Sequence, residues 1–208
     1  MVVILLKTYY SKSGKKVSAE WLQGQPGVKY NLATDQWILE CSTAGDINFS
    51  PFGAFIEVYG NRASIEEHFQ IAKGFRKKHS DGTNVLDRNG KFVYERESER
   101  FMKAKGRPAD VLLIDDLVLN PALLGQWYKL LWLKYLDANP DLVLYLNNFD
   151  VFNDCFSHGN PVNQGAVITT YIVKGRQALI DEAILLLDVL KEHKQKKQEE
   201  GYDMSSHL

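Results

Sequence analysis

A chain of 208 residues is by default one domain, and long enough to bury a substantial core. Its 45% hydrophobic and 25% charged residues suit a soluble globular protein, and a formal charge of −1 argues against one built mainly to coat nucleic acid. No apolar run approaches the ~18–20 residues that cross a membrane, and "MVVILLKTYY" lacks the charged start and cleavage site of a secretory leader, so a cytoplasmic protein with reduced Cys41 and Cys155 is expected.

Residues 2–9, "VVILLKTY", with the turn "SKSGK" at 11–15, predict a first strand and hairpin. Further strands are expected at 35–41, "DQWILEC", and 54–59. Ser64 opens a helix through the capping-box pattern "SIEE", with Ser64 as N-cap and Glu67 three positions on. Asn89-Gly90 between "VLD" and "KFVY" predicts a hairpin inside 77–99, and 97–105 reads as a short charged helix. Asn120-Pro121 starts the clearest helix, with Leu123, Leu124, Trp127, Leu130, Leu131 and Tyr135 at helical spacing, and Asn139-Pro140 ends it. A second helix follows at 141–149. The last runs from about Arg176 to Lys197 with Leu179, Ile180, Ala183, Ile184, Leu187 and Leu190 inward, before a frayed tail at 198–208. The expected class is α+β, predominantly helical: a single domain with a small N-terminal strand and hairpin portion.

Along the helix from Ser64, Ile65, Phe69, Ala72 and Arg76 fall on one stripe, and Glu66, Gln70 and Lys73 on the next. A carboxylate at the edge of a core is partly desolvated, which suits proton transfer. The same row is also common on solvated helices, where each pair is worth only ~0.2–0.5 kcal/mol.

"SIEEHFQIAK" resembles the "S-x-E-H-Y-F-Q-A-x-K" helix of the YbiA-like, or NADAR, superfamily of N-glycosidases, with Ser64, Glu66, Gln70, Ala72 and Lys73 on matching positions. Further pieces follow in the family's order: "FSPF" at 49–52, "AKGR" at 104–107, "WYKLLWLKYLDANPDL" at 127–142 and "NPVNQGAVITTYIVKGR" at 160–176. The chain departs from the pattern at Glu67-His68, where the family has His-Tyr, and at Phe156, where it has Trp; residues 1–45 lie outside the match.

The resemblance implies cleavage of an N-glycosidic bond in an ADP-ribosyl or phosphoribosyl conjugate, the substrate being a small nucleotide-sugar or an ADP-ribosylated nucleic acid. Such cleavage passes through an oxocarbenium-like ribosyl cation, which calls for a carboxylate, a donor for the leaving nitrogen and positive charge for the phosphates. It assigns Glu66, Asp154 and Lys73 as catalytic candidates. Gln70, Arg107, Lys134, Asn163 and Trp127 are the substrate-binding candidates. Arg107 would clamp a phosphate. Each has a plainer reading: Lys134 can snorkel from its helix, Trp127 can be core, Asn163 can be an N-cap with Gly165 allowing close backbone packing, and Asp154 or the nearby Asp150 can be a turn residue. "AVITTYIV" at 166–173 is β-branched and favours strand by propensity; the resemblance expects helix.

No cofactor is expected, and no metal, since CxxC and HExxH are absent. G-x-S-x-G, Walker and G-x-G-x-x-G patterns are absent too. Two alternatives stand beside the enzyme: a non-catalytic module that binds NAD or ADP-ribose, and an interaction protein that docks through helix 176–197.

Overall fold

The computed structural model describes residues 7–96, 108–155 and 163–199. The first elements are β1 (Tyr9–Tyr10), β2 (Lys16–Val17), α1 (Ala19–Gln23), β3 (Val28–Asn31) and β4 (Gln36–Glu40), then a 3-10 turn at Ile47–Phe49. Next come β5 (Phe55–Val58), β6 (Asn61–Ser64), α2 (Ile65–Ile71), β7 (Lys73–Arg76), β8 (Tyr94–Arg96), β9 (Val111–Ile114) and β10 (Leu117–Leu119). A 3-10 turn at Pro121–Leu123 leads into α3 (Leu124–Ala138), α4 (Pro140–Leu146) and β11 (Val151–Asn153). Last are α5 (Gln164–Thr169), which continues as a π-turn over Thr170–Lys174, α6 (Arg176–Asp181) and α7 (Ile184–Glu199). The class is α+β.

The chain divides into two compact units, each discontinuous in sequence: residues 1–55 with 132–182, and 56–131 with 183–208. In the first, β1 and β2 form the expected hairpin, Tyr9 opposite Val17, closed by Gly14 at φ 72°. The β4 strand lies between antiparallel β3 and parallel β11. Its alternation buries Trp37 and Leu39, and the core continues through Leu22, Phe49, Trp132, Tyr145 and Ile168. Helix wins over strand propensity at α5 because Asn163 caps it, accepting from the Ala166 N–H at 2.9 Å, and because Val167 and Ile168 are fully packed.

Gly165 lets α5 approach β11. A Cβ there would stand 2.8 Å from the Phe152 carbonyl oxygen, which is backbone and cannot rotate away. Alanine would gain about 1 kcal/mol of helix propensity, but crowding in a packed site costs about 1–3 kcal/mol, so Gly165→Ala is expected to destabilise. A lower urea midpoint at unchanged slope is the expected measurement; a raised midpoint would contradict it.

In the second unit, β10, β9, β7 and β8 form an antiparallel sheet. Tyr59 and Gly60, at φ 51° and 73°, make the tight turn between β5 and β6. The Asn89-Gly90 turn is present, with the Gly90 N–H donating to Asp87 O and an isolated bridge between Leu86 and Phe92. Ser64 caps α2 as expected, accepting from the Glu67 N–H.

Several helical expectations are corrected. The helix from Ser64 does not reach Arg76: it stops at Ile71, and Lys73 lies on β7. Gly74 is the physical reason, since its missing side chain lets β7 pair against β9; a Cβ there would come within 2.5 Å of Val111 and 2.6 Å of Leu113. The last helix is two, broken at Glu182 and Ala183. The Leu186 N–H, which would bond back to residue 182, is instead met by the Gln126 side chain at 2.9 Å. Leu179, Ala183 and Leu186 are buried, whereas Ile184 is exposed, contrary to expectation. The expected 141–149 helix spans Pro140–Leu146, and residue 198 belongs to α7. Residues 2–6, the 97–105 helix, Arg107, Phe156 and the tail from 200 lie outside the described residues.

Candidate functional site

Helical spacing carries Glu66 and Gln70 to one side of α2, while Ile65 and the buried His68 face inward; the His68 ring nitrogen Nε2 meets the Ile56 carbonyl at 3.2 Å. Although Lys73 is on a strand, the row is closed. The Gln70 Nε2 donates to Glu66 Oε1 at 2.7 Å, and Lys73 Nζ donates to Gln70 Oε1 at 2.6 Å. The Lys73 ammonium lies 4.7 Å over the Phe69 ring, which meets Tyr128 edge-on at 5.1 Å. All three polar residues are half-buried. The result is a carboxylate and an ammonium joined through an amide, each fixed by its neighbour. Phe69 and Tyr128 were not singled out in the sequence; Phe69 sits on the apolar stripe and reads only as core.

Trp127 lies at 7% exposure, its Nε1 directed to the His68 carbonyl at 3.5 Å. With His68, Ile71 and Ala72 it lines a cavity of about 170 Å³ on the opposite side of α2 from Glu66. That places its indole in packing, the plainer of its two readings.

In the other unit, Asp154 and Asn163 line a cavity of about 540 Å³ together with Glu40, Cys155 and Thr169. Parallel pairing of β11 with β4 sets Asn153 opposite Glu40, and the Cys155 N–H donates to Glu40 Oε1 at 2.9 Å. Glu40 was invisible from spacing, because nothing local announces a parallel pairing across more than a hundred residues. Asp150 does not join Asp154: its Oδ2 accepts from the Trp37 N–H at 2.8 Å and Oδ1 lies 3.6 Å from Lys7. Lys134 is half-buried on α3. Glu66 lines neither of these two cavities.

Asp115, Asp116 and His193 bring ligand-type atoms within 4.8 Å of one another. Lys197 places its ammonium 2.5 Å from Asp115 and 3.2 Å from Asp116, so the chain itself supplies a cation to this cluster. Burial pushes the Asp116 carboxyl up, but the Lys197 hydrogen bond, its own backbone N–H and the His193 and Lys197 charges outweigh burial and hold it below the usual range. The Asp115 hydrogen bond holds the Lys197 ammonium above its ordinary value. A lowered carboxyl stabilises above its unfolded value and loses that contribution as pH falls through the folded one. A raised ammonium stabilises below its unfolded value and loses it as pH rises through the folded one. The clamp between α7 and the β9–β10 turn is therefore complete around neutrality and weakens at both extremes. The melting-temperature difference between wild type and Asp116→Asn should hold through neutrality and shrink as pH falls below about 4, the ordinary Asp value; a difference that stays constant into strong acid would contradict this.

No family model matches the chain, and no curated protein and no solved structure matches it either. Among the described residues no helix is long and apolar enough to cross a membrane.

Proposed function

We propose that the protein is a YbiA-like N-glycosidase that hydrolyses the N-glycosidic bond of an ADP-ribosyl or phosphoribosyl conjugate, ADP-ribosylated guanine being one example, in the cytoplasm. The observation that carries the reading is the hydrogen-bonded row Glu66–Gln70–Lys73, three of the five helix positions at which the resemblance begins. Gln70 points one oxygen of the Glu66 carboxylate along the helix face. Glu66 then steadies the ribosyl cation or takes a proton from the attacking water. Lys73 supplies positive charge toward phosphate oxygens or the departing base. Asp154 is the second carboxylate the resemblance assigns, and Arg107 and Lys134 its further cations.

The test is direct. The protein is incubated with ADP-ribosylated guanosine and with a guanine-ADP-ribosylated oligonucleotide, and release of ADP-ribose is followed by chromatography. Turnover of either supports the reading. Calorimetric binding of ADP-ribose with no product from any conjugate would replace it with the binding-module alternative.

A further inference from the structure

The N-terminal residues that the resemblance does not reach, joined by Asp150, build a further cleft. Its volume is about 500 Å³, and Tyr9, Tyr30 and Trp37 form its aromatic wall. Tyr9 meets Trp37 edge-on at 5.7 Å, and Tyr30 meets it tilted at 5.0 Å. The rings are tied in place: Trp37 Nε1 donates to the Tyr9 hydroxyl at 3.3 Å, and the Tyr30 hydroxyl donates to Asp35. Around them stand three carboxylates, Glu20, Asp35 and Asp150, against one ammonium, Lys7. That ammonium sits 3.6 Å from Asp150 and 6.0 Å from the centre of the Tyr9 ring, so the chain already places a cation between carboxylate and π-face.

We propose that this cleft is a binding site for an organic cation, an ammonium or guanidinium group on a small molecule. Aromatic faces attract cations through their quadrupole, and carboxylates fixed beside them add charge and hydrogen-bond acceptors. The volume is that of a small-molecule site. The excess of carboxylates over ammonium in the lining disfavours phosphate-bearing ligands, which separates this cleft from the glycosidase chemistry proposed around Glu66. Lys7 is the internal competitor: it holds the place of the ligand's cation and moves aside when one binds.

The experiment is a titration with tetramethylammonium chloride and with argininamide, followed at the Trp37 indole N–H in the NMR spectrum. Trp37→Phe identifies the signal, and sodium chloride at equal ionic strength is the control. A saturable shift with the organic cations, absent with sodium chloride, is expected. Lys7→Met should tighten binding about two- to fivefold by removing the competitor, and Asp35→Asn should weaken it by a similar factor. Asparagine is chosen because it accepts the left-handed backbone of residue 35, at φ 55°, and keeps an acceptor for Tyr30. A shift that merely drifts with ionic strength would overturn the proposal. So would saturation by AMP instead of the organic cations, or equal affinity in Lys7→Met and wild type.

Discussion

Glu66→Gln is expected to lower kcat for release of ADP-ribose by about 10²–10⁴-fold, the range for losing one positioned acid or base group. Glutamine keeps the size and one oxygen acceptor for the Gln70 amide, so the helix and the row around it should persist. What is lost is the charge that a ribosyl cation needs and the basicity that an attacking water needs. KM should change little, because the carboxylate meets charge that develops only on the way to the transition state. Gln70→Met separates positioning from chemistry: Glu66 is retained but no longer held by the 2.7 Å bond, and a smaller loss, about tenfold, is expected. Asp154→Asn, measured beside these, shows whether the second carboxylate takes part. Equal turnover by Glu66→Gln and wild type would remove the α2 carboxylate from the mechanism, whatever the substrate proves to be.

Lys12→Met is expected to cost about 3–5 kcal/mol of stability, the largest effect away from the candidate site. Asp46 is 1% exposed and caps the 3-10 turn at Ile47–Phe49, accepting from Asn48 at 3.1 Å through its backbone N–H and at 2.9 Å through its side chain. Its other oxygen meets Lys12 Nζ at 2.7 Å, and that ammonium also lies 5.5 Å over the Tyr145 ring. Burial pushes the Tyr135 hydroxyl up to about 12 and the Tyr145 hydroxyl higher still, and the Asp46 charge adds to both shifts, as a buried carboxylate nearby must. The pair is asymmetric. Lys12 keeps 28% of its side chain exposed and can swing to water if Asp46 is removed, whereas Asp46 cannot follow if Lys12 is removed. The cost therefore falls on the variant that strands the buried charge. Asp46→Asn should cost nearer 1 kcal/mol, and Lys12→Met with Asp46→Asn should be more stable than Lys12→Met alone. Urea unfolding of the three variants measures this, and a double variant worse than Lys12→Met would show that the charge is not the cause.

Local chemistry was legible where a few consecutive residues decide the matter. Ser64, Asn120 and Asn163 each cap a helix or turn through the side-chain oxygen that their type predicts. The Gly14 and Gly90 turns follow from backbone freedom that can be read one residue at a time. Of the candidate site, Glu66 and Gln70 were readable as neighbours because four residues of helix bring them together. Lys73 joined them for a different reason than spacing suggested, since it is the first residue of β7 and not part of the helix.

What tertiary structure alone decided was every arrangement that depends on distant partners. Gly74 ends α2 because a strand more than thirty residues later needs the space of its missing Cβ. Gln126 breaks the last helix by meeting the Leu186 N–H from sixty residues away. Parallel pairing of β11 with β4 brings Glu40 beside Asp154, and the aromatic cleft draws Asp150 to residues 7–37. By itself the sequence determined the caps, the turns and the carboxylate row of one helix face, because those energies are set within a few residues. Which elements share a sheet or wall a cavity is set by burial and backbone pairing across the chain, and no short window of sequence contains those terms.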